Sequence, residues 1–260
     1  MSHCSTYPKE SAMSTTRAYC FYVLALLAPF LGGCDWIGSE GTTRRLLEST
    51  RHMDENTPLV CQYRETNSNG REVSIIEWYL IRQPNQIEIQ VAERQDTSLW
   101  LRDLNQSITF IRFFKSPNLA IEYNDGDLNA AGLKQPWETL WSLVDPNSLP
   151  KKFVLAHTSN DHNLQIQYFV TKPAPAALEV AWLPNIKLPI NMIDKTTRDV
   201  TSELLLLSCK DIKESPIEPM NETKSQAYRH IDYVDIGDME SDPAIKLIIP
   251  LLKSGKTTSH

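Results

Sequence analysis

From Leu59 onward, apolar residues recur at every second position, a period that fits strands with one buried face. Leu59, Cys61 and Tyr63 alternate, and Asn67-Ser68-Asn69-Gly70 predicts a turn into a second strand over 72–82. There Val73/Ile75 and Ile76/Trp78/Leu80 fall on opposite parities, which predicts a bulge near Ile75. Pro84-Asn85 leads into Ile87/Ile89/Val91, followed at hairpin spacing by Leu99/Leu101, Ile108/Phe110 and Leu119/Ile121/Tyr123. Strands resume with Phe153/Leu155, Leu164/Ile166/Tyr168/Val170, Leu178/Val180/Trp182 and a long one over 198–208. About ten strands make a sheet too large to stay flat. The expected class is mainly β: a large curled antiparallel sheet, half-barrel or barrel.

Helices are few. Residues 44–53 predict an N-terminal helix with Thr43 as its cap and Leu46 and Leu47 on one side. Asn124-Asp125-Gly126-Asp127 breaks the sheet, and one short inserted helix follows from Pro136, placed at N1, to Val144. Residues 213–230 are polar and poor in apolar anchors, which predicts a linker. Asp242-Pro243 opens a last helix over 244–253, interrupted by Pro250.

The N-terminus is of another kind. Ala18 to Phe30 is apolar, preceded by Arg17, and too short to span a bilayer comfortably. Leu31-Gly32-Gly33-Cys34 follows and resembles the lipobox of bacterial type II signal peptides, in which the cysteine is acylated and becomes the mature N-terminus. The resemblance implies a signal peptide over 1–33, with Met13 as an alternative start, and a palmitate-type lipid anchor on Cys34. A tether over 34–43, a half-barrel domain over 44–210, and a polar linker and acidic helical tail over 211–260 complete the expected organisation. An aspartate after the lipobox cysteine, as at Asp35, retains enterobacterial lipoproteins in the inner membrane. The expected location is therefore the periplasmic face of the bacterial envelope, with the inner membrane favoured.

Of five cysteines, Cys4 and Cys20 leave with the signal and Cys34 takes lipid. Cys61 and Cys209 remain in an oxidising compartment and are expected to form a disulfide between an early and a late strand. The whole chain carries a net charge of −6, and loss of Lys9, Glu10 and Arg17 makes the mature body more acidic. That charge, with no basic run longer than Arg44-Arg45 or Lys151-Lys152, argues against nucleic acid.

No nucleophile elbow, phosphate loop, dinucleotide fingerprint, HExxH or SxxK pattern occurs, and the six histidines are never at ligand spacing. No catalytic residue, metal site or cofactor is expected, and the chain reads as a non-enzyme. The carboxylates Asp232, Asp235, Asp238, Glu240 and Asp242 have two readings: a hard-cation site, or helix capping with Asp242 before Pro243. The aromatic load also has two. Trp78, Trp100, Phe110, Tyr123 and Trp182 fall on strands, and Trp137 and Trp141 share a helix face. They are either plain core or the lining of a greasy cavity with the helix as lid.

The lipobox, N-terminal helix, meander, inserted helix and returning strands with Trp182-Leu183-Pro184 and Leu188-Pro189 look like the LolA/LolB-like group of periplasmic lipoprotein carriers and receptors. The resemblance covers roughly residues 44–210. It implies a half-barrel that shelters an acyl chain or other lipophilic ligand. Asp35, the inferred disulfide and the tail beyond Lys210 depart from that group. The alternative is an assembly or regulatory lipoprotein that binds an envelope protein partner through the sheet surface or the tail.

Overall fold

The computed structural model describes residues 40–93, 96–161, 164–171, 178–197 and 200–254, all within one compact unit from Ile37 to His260. The expected signal segment, Cys34 and Asp35 lie outside the described residues. The first described element is helix α1 (Glu40–Thr50), which packs against the last long strand and buries Leu46, Leu47 and Thr50. Thr43 lies inside this helix, so it does not cap it. Asn185 ties its end down, donating from Nδ2 to the carbonyls of Thr50 (3.0 Å) and Met53 (3.2 Å).

Six strands then form a meander: β1 (Leu59–Ser68), β2 (Val73–Gln83), β3 (Gln86–Val91), β4 (Asp96–Arg102), β5 (Ile108–Phe114) and β6 (Leu119–Tyr123). At the first turn Asn69 Oδ1 accepts from the N–H groups of Arg71 (3.1 Å) and Glu72 (2.8 Å), and Gly70 takes the left-handed φ of 78°. Helices α2 (Asp125–Ala131), α3 (Trp137–Ser142) and α4 (Leu149–Lys152) lead to a second meander. It consists of β7 (Phe153–Asp161), β8 (Leu164–Thr171), β9 (Leu178–Leu183), β10 (Leu188–Thr197) and β11 (Val200–Asp211). β11 returns to pair with β1, and the short β12 (Arg229–Asp232) adds a parallel strand outside β6. The order is β12-β6-β5-β4-β3-β2-β1-β11-β10-β9-β8-β7, a twelve-stranded curled sheet with two separate edges. The half-barrel alternative is therefore the one observed, and the closed barrel is not.

Cys61 and Cys209 are direct partners across β1 and β11 and form the expected disulfide, joining residues 148 apart in sequence. The bond clamps the two meanders at the strand pair that unites them.

Three local expectations are corrected. β1 and β2 pair in unbroken register, so no bulge lies near Ile75; Val73 and Ile75 stay exposed on the opposite face from Trp78 and Leu80. In the β1–β11 pair a register shift falls between Gln62↔Ser208 and Tyr63↔Leu206, and the pairs β10–β11, β9–β10 and β7–β8 carry shifts of their own. Pro136 precedes α3 as its cap residue, and three helices replace the one expected insertion. α2 forms because Asn124 Oδ1 accepts from Asp127 N–H while Asp127 Oδ2 accepts from Asn124 N–H, a reciprocal cap, and Gly132 ends the helix at φ 69°.

Partner residues line up in rows across the sheet. Tyr123, Phe110, Trp100, Ile87, Arg82 and Leu59 are successive partners from β6 to β1, so they share one face. This inner face is covered at β5–β6 by Leu128 of α2 and by Ile245 and Ile248 of α6 (Pro243–Ser254). Each such fully buried aliphatic side chain contributes about 1.5–3 kcal/mol. The tail is thus docked through its helix.

The outer face is covered as well. Met220 and Tyr228 pack on Leu99, Ile111, Phe113 and Ala120, on either side of α5 (Glu222–Gln226). Gln86 and Gln90 donate from Nε2 to the carbonyls of Met220 (3.1 Å) and Glu218 (3.2 Å). Residues 213–230, polar as a linker would be, are therefore a strap laid across the sheet. Two apolar anchors and side-chain amides hold it where a linker would have none.

Candidate functional site

The connection from α3 to α4 crosses the inner face of β9–β11 and leaves a cavity of about 420 Å³ there. α3 stops at Ser142 because Leu143 adopts a left-handed φ of 60°, a conformation that costs a non-glycine residue about 1–3 kcal/mol. The chain then turns at Asp145, whose carbonyl accepts from Ser148 Oγ (2.8 Å) and Ser148 N–H (2.9 Å), and enters α4. Leu143, Val144 and Phe153 form one wall. Leu178, Met192 and Leu204 on the strands form the other. Thr139, Asp145, Ser148, Lys152, Asp194 and Ser202 supply the polar part of the lining. A concave, mostly apolar site with a few polar groups is the usual form of a small-molecule pocket.

The aromatic residues marked in the sequence lie elsewhere. Trp78, Trp100, Phe110, Tyr123 and Trp182 all belong to the inner face by register, yet none lines this cavity. Trp100 stacks on Phe110 at 4.7 Å between ring centres, Phe110 meets Tyr123 at 5.2 Å, and Tyr123 stacks on Tyr233 at 4.5 Å. Trp78 stacks on Tyr63 at 4.8 Å, and Trp182 is buried. For these five strand residues, core packing describes what is seen. Trp137 and Trp141 share a helix face as expected, 6.3 Å apart, and edge a separate cleft of about 360 Å³ with Arg102 and Lys187. Arg102 lies over the Trp137 ring at 4.5 Å and Arg82 over Trp141 at 4.4 Å.

Arg82 positions the helix that walls the cavity. It is fully buried, and its guanidinium donates to the carbonyls of Trp141 (3.1 Å) and Ile186 (2.8 Å). Burial pulls its pKa down to about 10, which leaves it charged at neutral pH.

On the outer face, a groove of about 660 Å³ lies between the strap and β3–β5. At its edge Ser225, His230 and Glu122 stand in the order of a hydrolase triad. His230 Nδ1 contacts Glu122 Oε1, and Nε2 lies 3.3 Å from Ser225 Oγ. Nε2 also faces the Ser225 carbonyl at 2.8 Å. The proton that satisfies this carbonyl occupies the lone pair a general base would need, so the arrangement is a latch of the strap onto β6.

Glu88, fully buried beneath the same strap, accepts from Met220 N–H (2.8 Å) and Gln90 Nε2 (2.7 Å). Burial pushes its carboxyl above the ordinary value, more than the hydrogen bonds from Gln90 and Met220 pull it down. A carboxyl raised in the folded state contributes stability at low pH, and that contribution is lost as pH rises above 4.5 through the folded value. Glu88→Gln is therefore expected to flatten the decline of melting temperature above pH 4.5. Parallel curves for variant and wild type would contradict it.

In the acidic stretch, Asp242 Oδ1 accepts from Ala244 N–H (2.8 Å) and Oδ2 from Arg229 (2.7 Å), so this carboxylate caps α6 and ties β12 to it. Among the described residues, no three His, Cys, Asp or Glu side chains converge as a metal site would require. Among them too, no helix is long and apolar enough to cross a membrane.

No protein-family model matches the chain, and no curated protein does. Solved structures with a similar arrangement include an uncharacterized conserved protein from Thermus thermophilus, with 9% identity and a TM-score of 0.40 over 74% of this chain and 97% of that one. A LolA superfamily protein from Nitrosomonas europaea matches with 6% identity and a TM-score of 0.31 over 70% of this chain and 96% of that one. A DUF1329 family protein from Desulfovibrio piger matches with 8% identity and a TM-score of 0.32 over 69% and 96%. Likeness at this level assigns neither family nor function.

Proposed function

We propose that this chain is a non-enzymatic lipoprotein, anchored through Cys34 at the periplasmic face of a bacterial membrane, that shelters an acyl chain in the cavity between α3–α4 and β9–β11. The observation that carries the binding reading is the cavity itself, with apolar walls from both the helical connection and the strands. Its volume of about 420 Å³ lies within the usual range for ligand pockets, roughly 300–1,000 Å³. The outer-face groove is larger and also has apolar lining, from Leu99, Leu101, Ile111 and Met220, beside Gln86, Asn221, Glu222 and Gln226; it is the second place where a lipophilic ligand would be sought. The anchor reading rests on Leu31-Gly32-Gly33-Cys34 and the apolar run before it, and Asp35 favours retention in the inner membrane.

Two readouts test the two halves. Full-length protein purified from membranes in mild detergent is expected to carry a non-covalent lipid in native mass spectrometry. Thr139→Trp and Leu178→Trp, which fill the cavity from opposite sides, should remove it. Protein that is lipid-free from the start would overturn the binding reading. Cys34→Ser is expected to move the protein from the membrane fraction to the soluble one and abolish palmitate labelling; a variant still labelled and sedimenting with membranes would overturn the anchor.

A further inference from the structure

Helix α6 is apolar on two sides, and only one of them is used inside the protein. Ile245 and Ile248 are buried in the core at β5–β6, with Ile249 and Leu252 partly buried beside them. At about 100° per residue these four fall on one side of the helix. Lys246, Leu247, Pro250 and Leu251 fall on the other, and all four are exposed, Leu247 by 63% and Leu251 by 38%. The helix is held in place at both ends. Asp242 accepts from Ala244 N–H in the first turn, and Arg112 Nη1 on β5 donates to the Leu251 carbonyl at 3.1 Å. A helix that is apolar all round calls for an apolar neighbour on each side.

Charge indicates what that second neighbour is. The sequence holds five carboxylates from Asp232 to Asp242; from Pro243 to His260 it holds three lysines and no Asp or Glu, in a chain of net charge −6. The sign changes at the start of α6. Lys246 stands on the exposed side itself, and among the described residues no carboxylate pairs with it, since Asp242 is engaged by Arg229 at 2.7 Å. Leucines beside lysines match an anionic lipid surface, which takes the apolar side chains at its acyl boundary and the ammonium groups among its phosphates. The same surface repels the carboxylates that precede the helix, so the C-terminal end of α6 is the end that approaches it.

We propose that the exposed side of α6 is a docking surface for an anionic bilayer, with Leu247 entering the acyl boundary and Lys246 meeting lipid phosphate. This goes beyond the acyl-binding reading, since no residue of α6 lines the inner-face cavity. It is also separable from the anchor on Cys34.

The test uses protein purified from membranes and reconstituted with vesicles of phosphatidylcholine alone or of an equal mixture with phosphatidylglycerol. A nitroxide is attached at Leu247→Cys, and reference labels at Glu240→Cys, before the helix, and at Val73→Cys, exposed on the outer face of β2. Label taken up by unsubstituted protein is subtracted. On mixed vesicles the label at 247 is expected to be more accessible to oxygen than to a water-soluble nickel chelate, and the labels at 240 and 73 to show the reverse. Lys246→Gln is expected to lower the immersed population at 247 about fivefold, the factor that one lysine near an anionic surface contributes. A label at 247 that stays accessible to the nickel chelate on mixed vesicles would overturn the docking surface. So would a label already immobilised before vesicles are added, which would place a second copy or another protein on this side. Equal immersion on both kinds of vesicle would overturn the role of charge. Flotation reads the anchor separately: protein that floats only with mixed vesicles would overturn the anchor and leave the docking surface standing.

Discussion

Replacing Cys61 and Cys209 together by alanine is expected to lower the unfolding free energy by about 2–5 kcal/mol and the melting temperature by roughly 5–15 °C. The effect is large because the bridged residues are 148 apart, and in the chain-entropy model a loop of that size is among the most costly to leave unclosed. Position adds to length. Among the described residues, β1 and β11 are the strand pair that joins the two meanders in the sheet, and the bridge sits within that pair. Thermal unfolding with and without reductant provides the check. Reductant should lower the midpoint of the wild type and leave the double variant unmoved. Equal melting of variant and wild type would show that the strand ladder alone holds the meanders together.

Arg82→Met carries the next largest expected cost, about 3 kcal/mol. Methionine approximates the volume but leaves the carbonyls of Trp141 and Ile186 without a donor in a buried site, each at about 1–3 kcal/mol. Removing the guanidinium also ends its stacking on Trp141, so α3 should loosen where it walls the cavity. Arg82→Lys should recover only part of the loss, because a single ammonium cannot both bridge two carbonyls and lie flat on an indole. Opposing this is the relief of a buried charge with no carboxylate hydrogen-bonded to it. Urea unfolding decides between them: a methionine variant as stable as the wild type would mean that desolvation outweighs the hydrogen bonds.

Most of the sheet was legible because most strands bury one face. Ile87, Leu99, Phe110 and Ile121 declare themselves by alternation. β10 was missed although Leu188, Ile190 and Met192 recur at every second position, because Pro189 argues against a strand interior and the burial of Asn191 is not visible in its side-chain type. β12 is four residues long with three exposed, too short to show any period. α2 was visible in the spacing Asn124…Asp127 and Gly132, with aspartate standing where a capping box more often has glutamate. The strap was illegible for a different reason. Gln86-Ile87-Glu88-Ile89-Gln90 reads as a strand with a solvated polar face, and only contact with Met220, 132 residues away from Glu88, buries that face.

The aromatics expected to line a ligand cavity do not line the inner-face cavity described above. Tryptophans draw attention because of their size, but here stacking partners hold Trp78 and Trp100 and two arginines cover Trp137 and Trp141. The open space lies beside smaller residues, Leu143, Val144 and Met192, brought together by a helix end at an unusual φ that no local pattern announces. The proposed acyl site therefore lies beside β9–β11 and not among Trp78, Trp100, Phe110, Tyr123, Trp137, Trp141 and Trp182.

Photo-crosslinking locates such a ligand directly. Full-length protein loaded with a fatty acid carrying a diazirine near the end of its chain, irradiated and digested, is expected to carry the label on peptides spanning 139–153, 178–183 and 192–204, which contain both walls of the cavity. Label concentrated on peptides of β4–β6 around Trp100 and Tyr123, or on the strap around Met220, would contradict the placement.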